Sequence, residues 1–269
     1  MEIKKLQFIW HDCFVFTDED IILVFDYWKD PLCARGDLPG FIKNADKDKH
    51  LYVFVSHHHK DHYSTRIYEW EKYFANVTFI ISDDVRKYSK HIFSSTSTYN
   101  RYKPNPGNMM VMSAGEVFSD ENIKVSAFGS TDIGNSYAIK VGNVNLFHAG
   151  DLNAWLWKDE STEDEIAKSR RDYLNVLKEI GNFYENFDIV MFPVDSRIGS
   201  GYYEGAAIFL KKFDVKRFFP MHFNLGETEA EMQKYIRDAR DIEKYANPER
   251  GEYICLTSPY DLFAFSKFR

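Results

Sequence analysis

Cysteine is scarce in this 269-residue chain. Cys13, Cys33 and Cys255 are odd in number, lie far apart and form no Cys-x-x-Cys pair. That argues against a disulfide scaffold and fits a reducing cytoplasm. Long apolar runs are missing too: no stretch approaches the roughly eighteen residues of a membrane span. Met1-Glu2-Ile3-Lys4-Lys5 leads into strand-like sequence with no signal-peptide core. Positive charge is in deficit, with a net charge of −7 and a pI near 5.7, which disfavours a surface built to grip nucleic-acid phosphates. Repeats, low-complexity tracts and linkers are absent, so one domain over residues 1–269 is the simplest organisation. The expectation is a soluble, cytoplasmic protein that handles a small molecule, with no nucleic acid or membrane partner. The sequence leaves its oligomeric state open.

What is plentiful is apolar and aromatic side chain, 44% and 17% of the residues, enough for a well-packed globular core. Leu6 to Thr17 and Ile21 to Tyr27 are β-rich, with the acidic Asp18-Glu19-Asp20 as a turn between them. Residues Lys29 to Lys47, with Pro31, Gly36, Pro39 and Gly40, read as a loop. His50 to Ser56 is a buried strand. A helix is expected over Thr65 to Ala75 with Ile67, Trp70 and Phe74 as its apolar stripe, then a strand from Val77 to Ile81 and a short helix capped by Asp83-Asp84. Ser94 to Asn108 reads as a surface loop. A second set of strands follows at Met109–Met112, Ile123–Phe128, Ser136–Val141 and Val144–Phe147, the last two joined by a Gly142-Asn143 hairpin turn. A long helix from Thr162 to about Tyr184 is capped by Ser161 with Asp164 three residues on. Further elements are a strand at Asp188–Val194, a helix at Tyr203–Phe213, a strand at Arg217–Met221, a charged helix at Glu227–Tyr245 and a closing hairpin over Tyr253–Phe265. Strands in two sets with interleaved helices imply an α/β fold of two sheets with helices outside both.

The chemistry concentrates in Ser56-His57-His58-His59-Lys60-Asp61-His62, four imidazoles and a carboxylate directly after Leu51-Tyr52-Val53-Phe54-Val55. Imidazole nitrogen and carboxylate oxygen suit borderline divalent ions such as zinc. His57 and His59, two apart at a strand end, point to one side, and His58 points away. Asp61 and His62 fall where the chain leaves the sheet and can turn back. The competing account is a solvated polar turn that happens to be His-rich. Three further strands end in a possible ligand: Leu146-Phe147-His148-Ala149-Gly150-Asp151, Val190-Met191-Phe192-Pro193-Val194-Asp195 and Phe218-Phe219-Pro220-Met221-His222. Ligands at several strand ends can converge on one point.

Together these segments resemble the metallo-β-lactamase superfamily, metal-dependent hydrolases with a four-layer αβ/βα sandwich, over nearly the whole chain. His57-x-His59-x-Asp61-His62 carries the resemblance. His-Ala-Gly-Asp followed by Pro-Met-His is most similar to a branch of stand-alone hydrolases that includes ascorbate-6-phosphate lactonase-like proteins, and His11 and Asp26 also fit that branch. The resemblance implies one or two ions, Zn²⁺ or Mn²⁺, with His57 and His59 on one metal, Asp61, His62 and His222 on the second, and Asp151 bridging. It also exposes a departure: the usual middle histidine is missing from Ala127-Phe128-Gly129-Ser130-Thr131-Asp132. Asp132 and His148 are the two substitutes, although three residues of extended strand would put His148 and Asp151 on opposite faces.

Other positions have two readings each. His11, between Trp10 and Asp12 in an expected strand, is a site residue or a satisfied core histidine. Asp26 orients a ligand histidine or closes a turn. Asp195 with Arg197 lines a pocket or forms a surface pair. Trp155, Trp157, Tyr202 and Tyr203 are expected in the core, and the helix from Glu227 presents a solvated face. The expected activity is hydrolysis of a small-molecule ester, lactone or phosphodiester by metal-activated water, with Asp61 orienting the nucleophile and Arg197, Lys60 or Arg35 as possible anion contacts. No Ser or Cys nucleophile motif competes. The alternative is a degenerate, non-catalytic metal-binding member of the same fold.

Overall fold

Two seven-stranded mixed sheets organise the chain. The computed structural model describes residues 4–94, 102–245 and 251–265. It divides into two compact units, residues 1–112 with 257–269, and residues 113–256.

The first unit contains β1 (Lys5–Trp10), β2 (Cys13–Thr17), β3 (Ile21–Phe25), β4 (His50–Val55), β5 (Val77–Ser82), β6 (Met109–Met112) and β16 (Leu262–Ala264), in the order β16-β1-β2-β3-β4-β5-β6. Pairing is antiparallel from β16 to β3 and parallel from β3 to β6. Parallel strands are covered on both faces and so read as continuous apolar runs. All of β3 is buried, and all of β4 except His50. The β-rich stretch expected from Leu6 to Thr17 breaks at His11-Asp12, which turns the chain between β1 and β2. His11 is therefore in a turn and not in a strand, with φ at +58°.

The loop before β4 holds one helical turn, α1 (Gly40–Lys43). Its Phe41 meets Tyr27 and Trp70, and the three rings contact one another with centroids 5.0 to 5.8 Å apart. Each such contact adds about 0.5–1.5 kcal/mol beyond burial. Trp70 comes from Thr65–Lys72, which forms a 3₁₀ helix and not the expected α-helix. At three residues per turn Ile67 and Trp70 stack on one face, and both are buried. Asp83 and Asp84 lie inside the first turn of α2 (Asp83–Tyr88) and make no side-chain cap. Their charge still complements the helix dipole. A further short helix, α3, spans Lys90–Phe93. Part of the loop expected at Ser94–Asn108, residues 95–101, lies outside the described residues; Pro106–Asn108 is a 3₁₀ turn. Met109–Met112, grouped by sequence with the second set of strands, pairs with β5 in the first sheet.

The second unit contains β7 (Val117–Ser119), β8 (Ile123–Gly129), β9 (Asn135–Val141), β10 (Val144–His148), β12 (Ile189–Pro193), β14 (Arg217–Met221) and β15 (Glu252–Tyr253), in the order β15-β14-β12-β10-β9-β8-β7. β7 to β10 are antiparallel, and β10 to β15 are parallel. A two-residue ladder joins β11 (Asn186–Phe187) and β13 (Asp214–Val215). Gly142, with φ at +57°, makes the hairpin turn between β9 and β10. The long helix α4 (Glu163–Gly181) starts one residue later than expected, with Thr162 as cap and Glu165 completing a capping box. α5 covers Glu204–Lys212. α6 (Glu229–Asp241) buries only Ala239, as a solvated helix should. The expected C-terminal hairpin does not form: Glu252–Tyr253 pairs with β14, and Leu262–Ala264 pairs with β1. Among the described residues no helix is long and apolar enough to cross a membrane.

The carboxyl ends of parallel strands are where open α/β sheets place their ligands. Here β3 ends at Asp26, β4 at Ser56 to His62 and β5 at Asp84 in the first unit, while β10 ends at Asp151, β12 at Asp195 and β14 at His222 in the second.

Candidate metal centre

In the first unit the organising group is the buried carboxylate of Asp26, on left-handed backbone at φ +42°. It accepts from Ser56 N at 2.7 Å, from Ser56 Oγ at 2.5 Å and from His62 Nδ1 at 2.8 Å. Ser56 Oγ, its proton given to Asp26, accepts from His57 Nδ1 at 2.9 Å. An ionised carboxylate only accepts, so the network fixes the Nδ1–H tautomer of both His57 and His62 and makes Nε2 the acceptor nitrogen of each ring. That arrangement is how metal-bound histidines are held.

The ring centroids of His57 and His59 are 4.6 Å apart and those of His57 and His62 4.0 Å. His59 and His57 each offer a ligand atom within 4.8 Å of the other, as do His11, Asp61 and His62 among themselves. His11 Nε2 lies 3.6 Å from Asp61 Oδ2. His11 thus lies within the candidate ligand cluster. Its neighbour Asp12, to which sequence patterning assigned no role, is fully buried with Oδ2 3.1 Å from His11 Nε2 and 3.5 Å from His62 Nε2. His58 is held by other groups: Asp84 Oδ2 accepts from its backbone N at 2.9 Å and pairs with its Nδ1 at 2.8 Å, and its ring stacks on Tyr88, although it also stays 5.1 Å from the ring of His59.

In the second unit, Asp151 Oδ1 lies 3.3 Å from His222 Nε2. His222, with φ at +67°, has its Nδ1 2.9 Å from Asp195 Oδ2. Asp195 is buried, so it is no surface pair, and it also takes two hydrogen bonds from Arg197 Nε at 2.9 and 3.0 Å. Burial pushes its carboxyl upward, but the hydrogen bonds and charges of His222 and Arg197 outweigh that and hold it well below the usual carboxylate range. Asp132 offers an oxygen within 4.8 Å of Asp151. His148 instead accepts from Gly150 N at 3.2 Å, where the chain bends with Gly150 at φ +52°. Among the described residues it joins no ligand group. Trp155 is not simply core: its Nε1 donates to Asp151 O at 2.8 Å and its ring meets His222 edge-on at 5.6 Å. Trp157 is 40% exposed, against expectation. Tyr202 and Tyr203 are half-buried, and Tyr203 stacks on Tyr245.

Residues 5–222 match the model of the family described as "Beta-lactamase superfamily domain", and the chain belongs to that family. No curated protein matches the sequence. Solved structures with the same fold include Igni18, a metallo hydrolase from the archaeon Ignicoccus hospitalis KIN4/I, at 15% identity and TM-score 0.61 over 99% of this chain and 100% of that one. The metallo-β-lactamase fold protein YhfI from Bacillus subtilis is 13% identical, with TM-score 0.59 over 97% of this chain and 100% of that one. CmlA, a diiron β-hydroxylase from Streptomyces venezuelae, is 11% identical, with TM-score 0.63 over 98% of this chain but 55% of its own length. At these identities the likeness establishes the metallo-β-lactamase type of α/β fold with two mixed sheets.

The donor set fits a divalent ion. Its atoms are imidazole nitrogens and carboxylate oxygens, the ligands of zinc, manganese and iron. Three of the imidazoles, His57, His62 and His222, have Nδ1 engaged by Ser56, Asp26 and Asp195, so that Nε2 is presented.

Proposed function

We propose that the chain is a metal-dependent hydrolase acting on a small-molecule ester, lactone or phosphodiester, as one cytoplasmic hydrolase domain using one or two Zn²⁺ or Mn²⁺ ions. The observation that carries this is the engagement of Nδ1 on His57, His62 and His222 by the Asp26–Ser56 and Asp195 networks. Such backing sets ring orientation and raises ligand basicity, and satisfied structural histidines have no need of it at two separate strand ends. In the first unit His57, His59, Asp61 and His62 would serve as metal ligands; in the second unit Asp132, Asp151 and His222 would, Asp132 supplying a carboxylate in place of the missing histidine. A divalent ion bound there supplies Lewis-acid polarisation and lowers the pKa of water from about 15.7 toward 7.

The chain's own residues do the rest. Asp61 accepts a proton from the attacking water and orients it. Asp26 and Asp195 hold the imidazoles in one tautomer throughout. Trp155 packs its ring beside His222 and restricts water on that side. Lys29 supplies positive charge: its Nζ sits 4.0 Å from the ring centroid of Trp28, whose edge meets His11. An anionic group on the substrate would find it there, and the resemblance to lactonase-like proteins makes a phosphorylated lactone the first compound to try.

The test is metal analysis of the purified protein with assays on a panel of lactones, esters and phosphodiesters. The expected result is bound metal and turnover in one class that Asp61→Ala abolishes. Full activity in Asp61→Ala would remove the role given to Asp61. No metal, and no activity after adding Zn²⁺ or Mn²⁺, would establish the degenerate member instead.

A further inference from the structure

We propose that Thr131 is a positioning residue for the metal centre: its hydroxyl holds the loop after β8 so that Asp132 stands against Asp151. This rests on the metal-dependent reading above. β8 and β10 are not neighbours in the second sheet, because β9 runs between them. Two strand spacings put the ends of β8 and β10 roughly 9–10 Å apart. Yet Asp132, three residues beyond β8, offers an oxygen within 4.8 Å of one from Asp151, three residues beyond β10. The β8–β9 pairing stops at Gly129↔Asn135, so the ladder does not set the direction of residues 130–134. A contact outside the ladder has to lean that loop toward β10.

The Thr131 hydroxyl is that contact. Its Oγ1 donates to Asn153 O at 2.5 Å and accepts from Asn153 N at 3.1 Å. One hydroxyl thus spends its proton and a lone pair on the two backbone groups of a single residue. Thr131 immediately precedes Asp132, and Asn153 follows Asp151 by two positions, so the bridge joins the two segments beside their carboxylates. The Asn153 end is firmly seated. Its side chain is buried, and its Oδ1 accepts from Ala154 N at 2.7 Å. A Cβ on Gly205 of α5 would stand 1.7 Å from that oxygen, so the helix packs its bare backbone against Asn153. Trp155 Nε1 closes the same segment back on Asp151 O at 2.8 Å. Asp132 is exposed, so burial of its side chain contributes little to its placement, and the anchored backbone before it matters more.

The experiment is a Co²⁺ titration of the metal-free protein against a competing chelator. It compares wild type with Thr131→Val, Thr131→Ser, Asp132→Ala and the double variant Thr131→Val with Asp132→Ala. Valine keeps the shape and removes both bonds, whereas serine keeps both. The expected results are a loss of affinity of about tenfold at one site in Thr131→Val and near wild-type binding in Thr131→Ser. The double variant should lose no more than Asp132→Ala alone, because residues that act through one another do not add. Additive losses, a Thr131→Ser as weak as Thr131→Val, or unchanged affinity in Thr131→Val would each overturn the assignment. Unchanged affinity in Asp132→Ala overturns it together with the ligand role of Asp132. A wild type that takes up no ion overturns it together with the metal-dependent function. Should Thr131→Val fail to fold, a wild-type crystal soaked in Mn²⁺ decides. An ion held by Asp132 with both Thr131–Asn153 bonds intact supports the assignment; an ion held by Asp132 with those bonds parted, or held without Asp132, overturns it.

Discussion

Asp26 Oδ2 lies 2.8 Å from His62 Nδ1, and both groups are buried. Asp26→Asn keeps the shape but replaces one accepting oxygen with a donor, so the Nδ1–H of His62 loses its partner. We expect metal affinity to fall by about 10- to 100-fold, read by chelator competition. Asp26→Ala should in addition lower the unfolding free energy by about 3–5 kcal/mol, because it strands buried donors. Unchanged affinity in both variants would reduce Asp26 to a turn residue.

Asp195 gives a pH-dependent prediction. Its carboxyl is held below its unfolded value, so it adds stability above about pH 3.9 and loses that contribution as pH falls further toward its folded value. The stability difference between wild type and Asp195→Asn, measured by urea unfolding without metal, should narrow as pH falls below 4. A difference that stays level from pH 5 down to pH 3 would contradict the assignment.

Lys29 should act on binding. Lys29→Met is expected to raise KM about tenfold for an anionic substrate, the worth of one charge-assisted hydrogen bond, and to leave kcat and neutral substrates unchanged. An equal effect on neutral and anionic substrates would show that the substitution disturbs packing against Trp28.

None of the three cysteines is in a disulfide; Cys13 is buried and Cys33 and Cys255 are half-buried. Burial pushes the Cys13 thiol far up, and the charges of Asp26, Asp30 and Asp12 push the same way. Since the thiolate is the reactive form, native protein at pH 8 should lack a reactive thiol at Cys13 in a disulfide-exchange assay. Rapid labelling of Cys13 before unfolding would show the β1–β2 turn to be open.

Much of this was legible in the sequence. The apolar runs fixed β3 and β4, and Arg217–Met221 appears with the expected bounds. His57, His59, Asp61 and His62 could be read because their spacing has a geometric meaning at a strand end. Asp12 could not, because period-two patterning ran straight through Trp10-His11-Asp12-Cys13, and nothing local announces a turn that uses positive φ at a histidine. Asp26 and Asp195 were visible as oddly placed carboxylates, but their partners, 36 and 27 residues away, depend on strand order. The C-terminal strands were mispaired for the same reason: a short apolar segment does not state which sheet it joins.

That last mispairing has a consequence for biosynthesis. β1 pairs on its outer side with β16, some 250 residues later, at Lys5↔Ala264 to Gln7↔Leu262, and Tyr260 is bonded to Asp30 and Phe41 N of the same unit. While the chain is being made, the first sheet must wait with one edge uncovered until the whole second sheet has been synthesised. Open edges recruit other strands, and distant pairings form slowly. The nascent chain is therefore most exposed to misassembly in the interval when its ligand-bearing strands already exist and their last neighbour is still on the ribosome.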